Sequence, residues 1–179
     1  MKICKSFHLL DRILDAYADA LGDQFQPYKN HVYRVVNFCL AFRECDEVET
    51  EKIIIAGCFH DLGIWTSHTF DYLEPSVALA RTYLDQNGKT EWVEEIGRMI
   101  DMHHRLRKVA ANESPLVEVF RKGDWVDASL GLRRFGLPRE DFREVCRVFP
   151  NLGFHKNLVK LAKRQIKTHP LNPLPMMKW

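Results

Sequence analysis

The sequence predicts an all-α protein that forms a single domain of about seven or eight helices over residues 1–179. Apolar residues recur at intervals of three and four along nearly the whole chain, which is the period of an amphipathic helix. Glycine, proline and small polar residues fall where such helices would begin and end. Hydrophobic residues make up 46% of the chain, which is enough to bury a core without disulfides.

The first predicted helix is capped by Ser6 and ends at Gly22. The second follows the loop 23–28 and is apolar over a wide arc, so we expect it to be central. The third, with Thr50 as its cap, contains the run Ile53-Ile54-Ile55 and ends at His60 and Asp61. That run alone could be a strand, but no partner strand is evident, and a buried helix is favoured.

Five more helices follow the same period. Pro75 begins the fourth helix and the pair Asn87-Gly88 ends it. The break 112–115 precedes the sixth helix. The tail 169–175 contains three prolines, so it cannot be helical, and we expect it to lie along the surface of the domain. The predicted ranges are 75–87, about 91–104, 116–126, 139–149 and 154–168.

The charge balance is nearly even, with 26 basic and 24 acidic side chains and a formal charge of +2. This balance argues against a partner that is a nucleic-acid polymer or a membrane, although it permits a small anionic substrate. The five cysteines form no CxxC motif, which favours free thiols in a reducing compartment. We therefore expect a cytoplasmic protein, with a homodimer left open.

The adjacent pair His60-Asp61 is the first candidate for chemistry. Imidazole and carboxylate are ligands for divalent transition metals. Neighbours on a regular helix point about 100° apart, so they can share one ion only where the helix ends, and Leu62-Gly63 supplies such an end. The apolar run before the pair would bury Asp61, which then needs a cation. The alternative is a surface helix end with a capping aspartate.

Two further residues lie in apolar helices where a polar group needs a partner. His31 is followed by Val32, Val35 and Val36, and Asp124 lies in the predicted sixth helix. A histidine in this position could also be a core residue with satisfied hydrogen bonds. Together with His60 and Asp61 they supply four ligands from three helices, which is how metal sites in helical bundles are assembled.

This order of residues resembles the HD-domain superfamily of metal-dependent phosphohydrolases. The similarity runs from about residue 28 to 130, with His31, then His60-Asp61 in Phe-His-Asp-Leu-Gly, then Asp124 in Gly-Asp-Trp-Val-Asp-Ala. The resemblance implies an HD-domain-like helical bundle and a divalent ion (Zn, Fe, Mn, Ni, Co or Mg) bound by those four residues. It selects Asp124 over Asp127 as the ligand, and Asp127 becomes a candidate for orienting a ligand histidine.

The pair His103-His104 ends the fifth predicted helix, where many members of the superfamily carry histidines that bind a second ion or face the substrate. Members with two ions usually have a further histidine well after the His-Asp pair. Here only His68 lies in that interval, seven residues beyond Asp61, so we expect a centre with one ion. The segment 62–66 also lacks the acidic residue of the deoxynucleotide-cleaving members.

The resulting functional hypothesis is an enzyme that hydrolyses a small phosphate ester or nucleotide. Asp61, His103 and His104 are the candidate catalytic residues, because an aspartate or histidine near the ion can accept a proton. Two alternatives stay open. One is a hydratase or hydrolase of a substrate without phosphate, and the other is a metal-stabilised binding or regulatory domain without turnover. The candidate phosphate-binding residues are Arg105, Arg107 and Lys122.

Overall fold

The structure is a computed structural model, and it describes residues 1–177. Within them the chain forms ten α-helical segments and no β-strand, so the predicted all-α class is confirmed. Eight segments have eight or more residues, in agreement with the predicted number. The helices are α1 (His8–Asp15), α2 (Ala18–Leu21), α3 (Phe25–Phe42), α4 (Glu47–Phe59), α5 (Gly63–Thr66), α6 (Leu73–Gln86), α7 (Val93–Met102), α8 (Pro115–Ala128), α9 (Arg139–Val148) and α10 (Phe154–Thr168).

Two helix starts differ from the sequence prediction. Ser6 caps no helix. The first predicted helix is interrupted at Tyr17, whose non-helical backbone lets its ring pack edge-on against Phe59. The third predicted helix begins before Thr50. Its cap is Asp46, whose side chain accepts a hydrogen bond from the Glu49 backbone N–H in a reciprocal capping box.

The core is built around α3, which packs along α8 and against α4. Its buried side chains include Val32, Val35 and Phe38. Gly123 lets α8 approach α3 closely. A Cβ atom at this position would overlap Cys39 Sγ and lie 3.0 Å from the Val35 carbonyl oxygen. The next residue along α8 is Asp124, so this close contact also fixes one of the predicted ligands against α3.

The tail after α10 forms part of a second, smaller apolar cluster. Met176 is buried there against Ile64, Tyr72 and Leu73. Met176 directly follows the predicted surface tail 169–175, in which Leu171 and Leu174 are exposed. No helix among residues 1–177 has the length and apolar character needed to cross a membrane. All five cysteines are free.

We predict that Gly123→Ala lowers the free energy of unfolding by about 1–3 kcal/mol, because the added methyl group overlaps Cys39 Sγ and lies tightly against the α3 backbone. Gly97→Ala on α7 is the matched control. Its Cβ would meet only Val77 Cγ1 at an ordinary 3.6 Å, so better helix propensity should stabilise the protein by up to about 1 kcal/mol. Urea denaturation of both variants measures the difference. Equal effects from the two substitutions would contradict the close α3–α8 packing.

Candidate metal centre

Four predicted ligands from three parts of the fold meet in the core. His31 comes from the middle of α3, His60 and Asp61 follow the end of α4, and Asp124 lies on α8. His31 Nε2 is 3.8 Å from Asp61 Oδ2 and 3.7 Å from Asp124 Oδ1. His60 Nε2 is 3.4 Å and 3.6 Å from the same two oxygens. All four side chains are buried, so their ligand atoms form one closed polar cluster.

The turn after α4 explains how two neighbouring residues reach one point. Helix α4 ends at Phe59, and the Leu62 N–H donates to the Phe59 carbonyl in a tighter turn. Gly63 follows, and its N–H donates to Ser76 Oγ of α6 at 3.0 Å. A Cβ atom on Gly63 would lie 2.6 Å from the Tyr72 carbonyl oxygen, so only glycine fits. The helix end predicted from Leu62-Gly63 is thus locked against α6.

The hydrogen bonds of the histidines fix which nitrogen faces the cluster. His31 Nδ1 donates to Asp127 Oδ2 at 2.6 Å, and His60 Nδ1 donates to the Gly57 carbonyl at 2.7 Å. Because carboxylate and carbonyl oxygens only accept, both Nδ1 atoms carry a proton and both Nε2 atoms face the cluster. These Nε2 atoms are 3.0 Å apart. They can form a hydrogen bond only if one of them carries a proton; without that proton, two facing lone pairs need a cation beside them.

The buried carboxylates also need a positive charge beside them. Burial would raise the pKa of Asp61, but His60, His103 and His31 outweigh it and hold the pKa well below its ordinary value. Burial would lower the pKa of His60, but Asp61 and Asp124 raise it to about 9. In the absence of an ion a proton on His60 therefore supplies the missing positive charge. The residues fit a divalent metal, which would replace that proton.

Asp127 is placed to orient the ligand His31. Its carboxylate holds His31 and also accepts two hydrogen bonds from Arg34, from Nε at 2.6 Å and from Nη2 at 2.8 Å. Burial would raise the pKa of Asp127, but Arg34 and His31 keep it well below its ordinary value. Arg34 was not predicted, although it lies three residues after His31 and so on the same face of α3.

A second group of ligand atoms borders the first. Asp61 Oδ1, Asp124 Oδ2 and His103 Nε2 are buried and have no hydrogen-bond partner among residues 1–177. His103 Nδ1 donates to the Ile100 carbonyl, so Nε2 faces Asp61 Oδ1 at 3.5 Å. The carboxylates of Asp61 and Asp124 therefore face both groups. Since the expected centre held one ion, this second group of unpartnered atoms is the main addition from the structure.

His104 completes the second group from the side of a cavity. Its Nε2 is 2.6 Å from the Tyr72 hydroxyl, and its Nδ1 is 3.9 Å from Asp124 Oδ2. Burial and the neighbouring His103 lower the pKa of His104 to about 3, so the ring is neutral at pH 7. Asp61, His103 and His104 thus offer a second set of atoms that could hold an ion, beside the set of His31, His60 and Asp61.

The HD domain family model matches residues 28–129. The chain belongs to the HD-domain family. No curated protein and no solved structure matches it. The matched range of the HD domain begins in α3 and ends directly after α8, so it contains all six histidines and aspartates of the two ligand groups.

Several predicted site residues lie elsewhere in this HD domain. His68 is not in the cluster but lines a separate surface cavity. Lys122 is on α8 two residues before Asp124, which places it about 200° around the helix. It lies over the Phe42 ring instead. Arg107 is exposed, and the Arg105 carbonyl accepts hydrogen bonds from the Arg121 and Trp125 side chains. None of the candidate phosphate-binding residues Arg105, Arg107 and Lys122 lines the cavity beside the cluster.

A cavity of about 330 Å³ opens onto the cluster. Asp61, Asp124, His31 and His104 form its polar end, and Phe154 of α10, which stacks on His31 at 4.3 Å between ring centroids, begins its apolar wall. No lysine or arginine among residues 1–177 lines it. Apart from protonated histidine, positive charge at this end would have to come from bound metal.

We predict that Asp127→Asn weakens metal binding by about 10- to 100-fold, because His31 loses its charged partner. The free energy of unfolding should also fall by about 3–5 kcal/mol, because Arg34 is left buried without a counter-charge. Isothermal titration with Zn²⁺ or Mn²⁺ and urea denaturation measure the two effects.

Glu118→Gln is the control for stability alone. Glu118 binds the buried Arg121 through two hydrogen bonds, of 2.8 and 2.7 Å, but neither residue belongs to the two ligand groups. This variant should lose stability and keep its metal affinity. If both variants bind metal equally well, Asp127 has no orienting role.

Proposed function

We propose that this HD domain is a phosphohydrolase that acts on small phosphate esters with two divalent ions. The observation that carries this proposal is the pair of adjoining ligand groups, which meet at the buried carboxylates of Asp61 and Asp124. The first ion would be held by His31, His60, Asp61 and Asp124. The second would be held by His103 and His104 together with the remaining oxygens of the two aspartates.

The number of ions determines which substrate charge the site can accept. Asp61 and Asp124 carry two negative charges, and Asp127 is already neutralised by Arg34. One divalent ion balances the two carboxylates and leaves no charge for a phosphate dianion. Because the cavity wall has no lysine or arginine among the described residues, a phosphate dianion would be buried uncompensated, which is costly. A second divalent ion removes this cost.

The roles of the side chains follow from this arrangement. Divalent ions in such a site lower the pKa of a bound water and polarise a phosphoryl oxygen. Asp61, one of the predicted catalytic residues, faces His60 with Oδ2 and His103 with Oδ1, so it would help to hold both ions. Tyr72 holds His104 Nε2 and thereby turns Nδ1 towards the cluster. The apolar wall excludes water, which strengthens every charge interaction at the polar end.

The second candidate function is hydration or hydrolysis of a neutral substrate without phosphate. The same charge balance favours it if only one ion is bound, since the site is then neutral. The apolar cavity wall would suit a small uncharged molecule such as a nitrile. Metal stoichiometry therefore separates the two candidates before any substrate is known.

We predict that the purified protein binds two equivalents of Mn²⁺, Co²⁺ or Zn²⁺ and releases phosphate from members of a panel of phosphate monoesters. Elemental analysis and a phosphate-release assay measure these properties. Asp61→Asn should lose most of the metal and at least about 100-fold in kcat/KM, because both ions lose a ligand. Asp85→Asn removes an exposed carboxylate at the end of α6 and should change neither.

His103→Ala provides the sharper test of the second ion. It should bind one equivalent instead of two and lose phosphate release, while the first group of ligands stays intact. One equivalent in the unsubstituted protein, together with turnover of a small nitrile, would favour the second candidate. Metal binding without turnover of either panel would favour a regulatory domain.

A further inference from the structure

The cavity beside the metal centre has two chemically different ends. Its polar end consists of the ligands and His155, whose Nε2 binds the Asp127 carbonyl at 2.9 Å. Apart from the Tyr72 hydroxyl, which is bonded to His104, the rest of the wall is apolar and comes from four parts of the chain. It contains residues of the loop before α6, the turn after α8, helix α10 and the tail, among them Phe70, Leu130, Leu158, Val159, Leu174 and Met176.

This wall cannot satisfy a polar organic group. A sugar or glycerol hydroxyl buried against leucine, valine and methionine side chains would lose its hydrogen bonds to water and gain none. An alkyl or aryl group would instead gain about 25 cal/mol for each Å² that it buries. The volume of about 330 Å³ lies at the small end of the range for small-molecule sites. The wall therefore selects a short apolar group.

The tail supplies the part of the wall that is best placed to set the size of this group. Met176 is only 4% exposed and packs on Ile64, Tyr72 and Leu73. Leu174 also lines the cavity but is 44% exposed, so it forms the rim. A turn in which the Met177 N–H donates to the Leu174 carbonyl at 3.1 Å holds these residues together.

We propose that the substrate is a phosphate monoester of a short apolar alcohol, and that Met176 and Leu174 limit the length of its apolar group. This proposal rests on the phosphohydrolase function proposed above. The phosphate would lie at the metal centre, and the alkyl or aryl group would lie against α10 and the tail. Nucleotides and sugar phosphates would be poor substrates.

The test measures kcat/KM for phosphate release from ethyl, butyl, hexyl and octyl phosphate, whose leaving alcohols differ little in basicity. We expect a rise of about fourfold for each methylene that the cavity buries, followed by a plateau where the cavity ends. Glycerol phosphate, which is close in size to butyl phosphate, should be at least about tenfold worse than butyl phosphate.

Substitutions in the tail then show which residues limit the length of the substrate's apolar group. Met176→Ala should move the plateau to a longer chain. Leu174→Ala should also move the plateau to a longer chain, but by less. This variant replaces Met176→Ala if that variant does not fold, because Leu174 is half exposed and its truncation costs less stability. Leu171→Ala is the matched control. Leu171 lies in the same tail but is fully exposed and lines no part of the cavity, so the chain-length profile should not change.

Binding of alkylphosphonates, which are not hydrolysed, separates this proposal from the proposed function. Phosphate release that favours glycerol phosphate, or that ignores chain length, would overturn the apolar substrate and leave the phosphohydrolase in place. If no ester is hydrolysed while phosphonate affinity rises with chain length in the metal-loaded protein, the phosphohydrolase fails and the apolar cavity is supported. An unchanged profile in both tail variants would remove Met176 and Leu174 from the specificity.

Discussion

The need for positive charge at the centre of the bundle is the constraint on which the rest of the structure depends. Two imidazole nitrogens face each other 3.0 Å apart beside two buried carboxylates, so this group needs a proton or a metal ion. Such a group is tolerated inside a protein only when a cation compensates it, because burying unpaired charge is costly. In the absence of metal, the proton on His60 and the apolar packing of α3, α4 and α8 hold these ligands together.

Two kinds of hydrogen bond orient the ligand histidines. His60 and His103 each donate Nδ1 to a carbonyl three residues earlier, at the ends of α4 and α7. These bonds need only local helix geometry. His31 lies in the middle of α3, where every nearby carbonyl is used by the helix, so its Nδ1 needs a partner from α8. Asp127 fills that role, and Arg34 offsets its charge, which links stability to metal affinity at this one position.

The sequence predicted the parts of the site that are marked by local signals. The His-Asp pair at a helix end, the polar residues in apolar helices and the helical period are all visible without a structure. Met176 was not predicted as a site residue, because it reaches the cavity through contacts between segments far apart in sequence. The error at Lys122 has another cause. Lys122 was proposed as a phosphate-binding residue from its charge alone. Its position two residues before Asp124 on α8 already places it on another face of the helix.

Ion number, substrate charge and the apolar wall form one connected problem. Low polarity around the cavity raises the cost of any unbalanced charge, so the site must be close to neutral when it is occupied. Two ions with a phosphate dianion satisfy this condition, and so does one ion with a neutral molecule. One ion with a phosphate dianion does not, and neither do two ions with a neutral molecule. The unpartnered oxygens of Asp61 and Asp124 and the lone pair of His103 Nε2 favour the first of the two neutral states, because one ion beside His31 and His60 would leave these atoms buried without a partner.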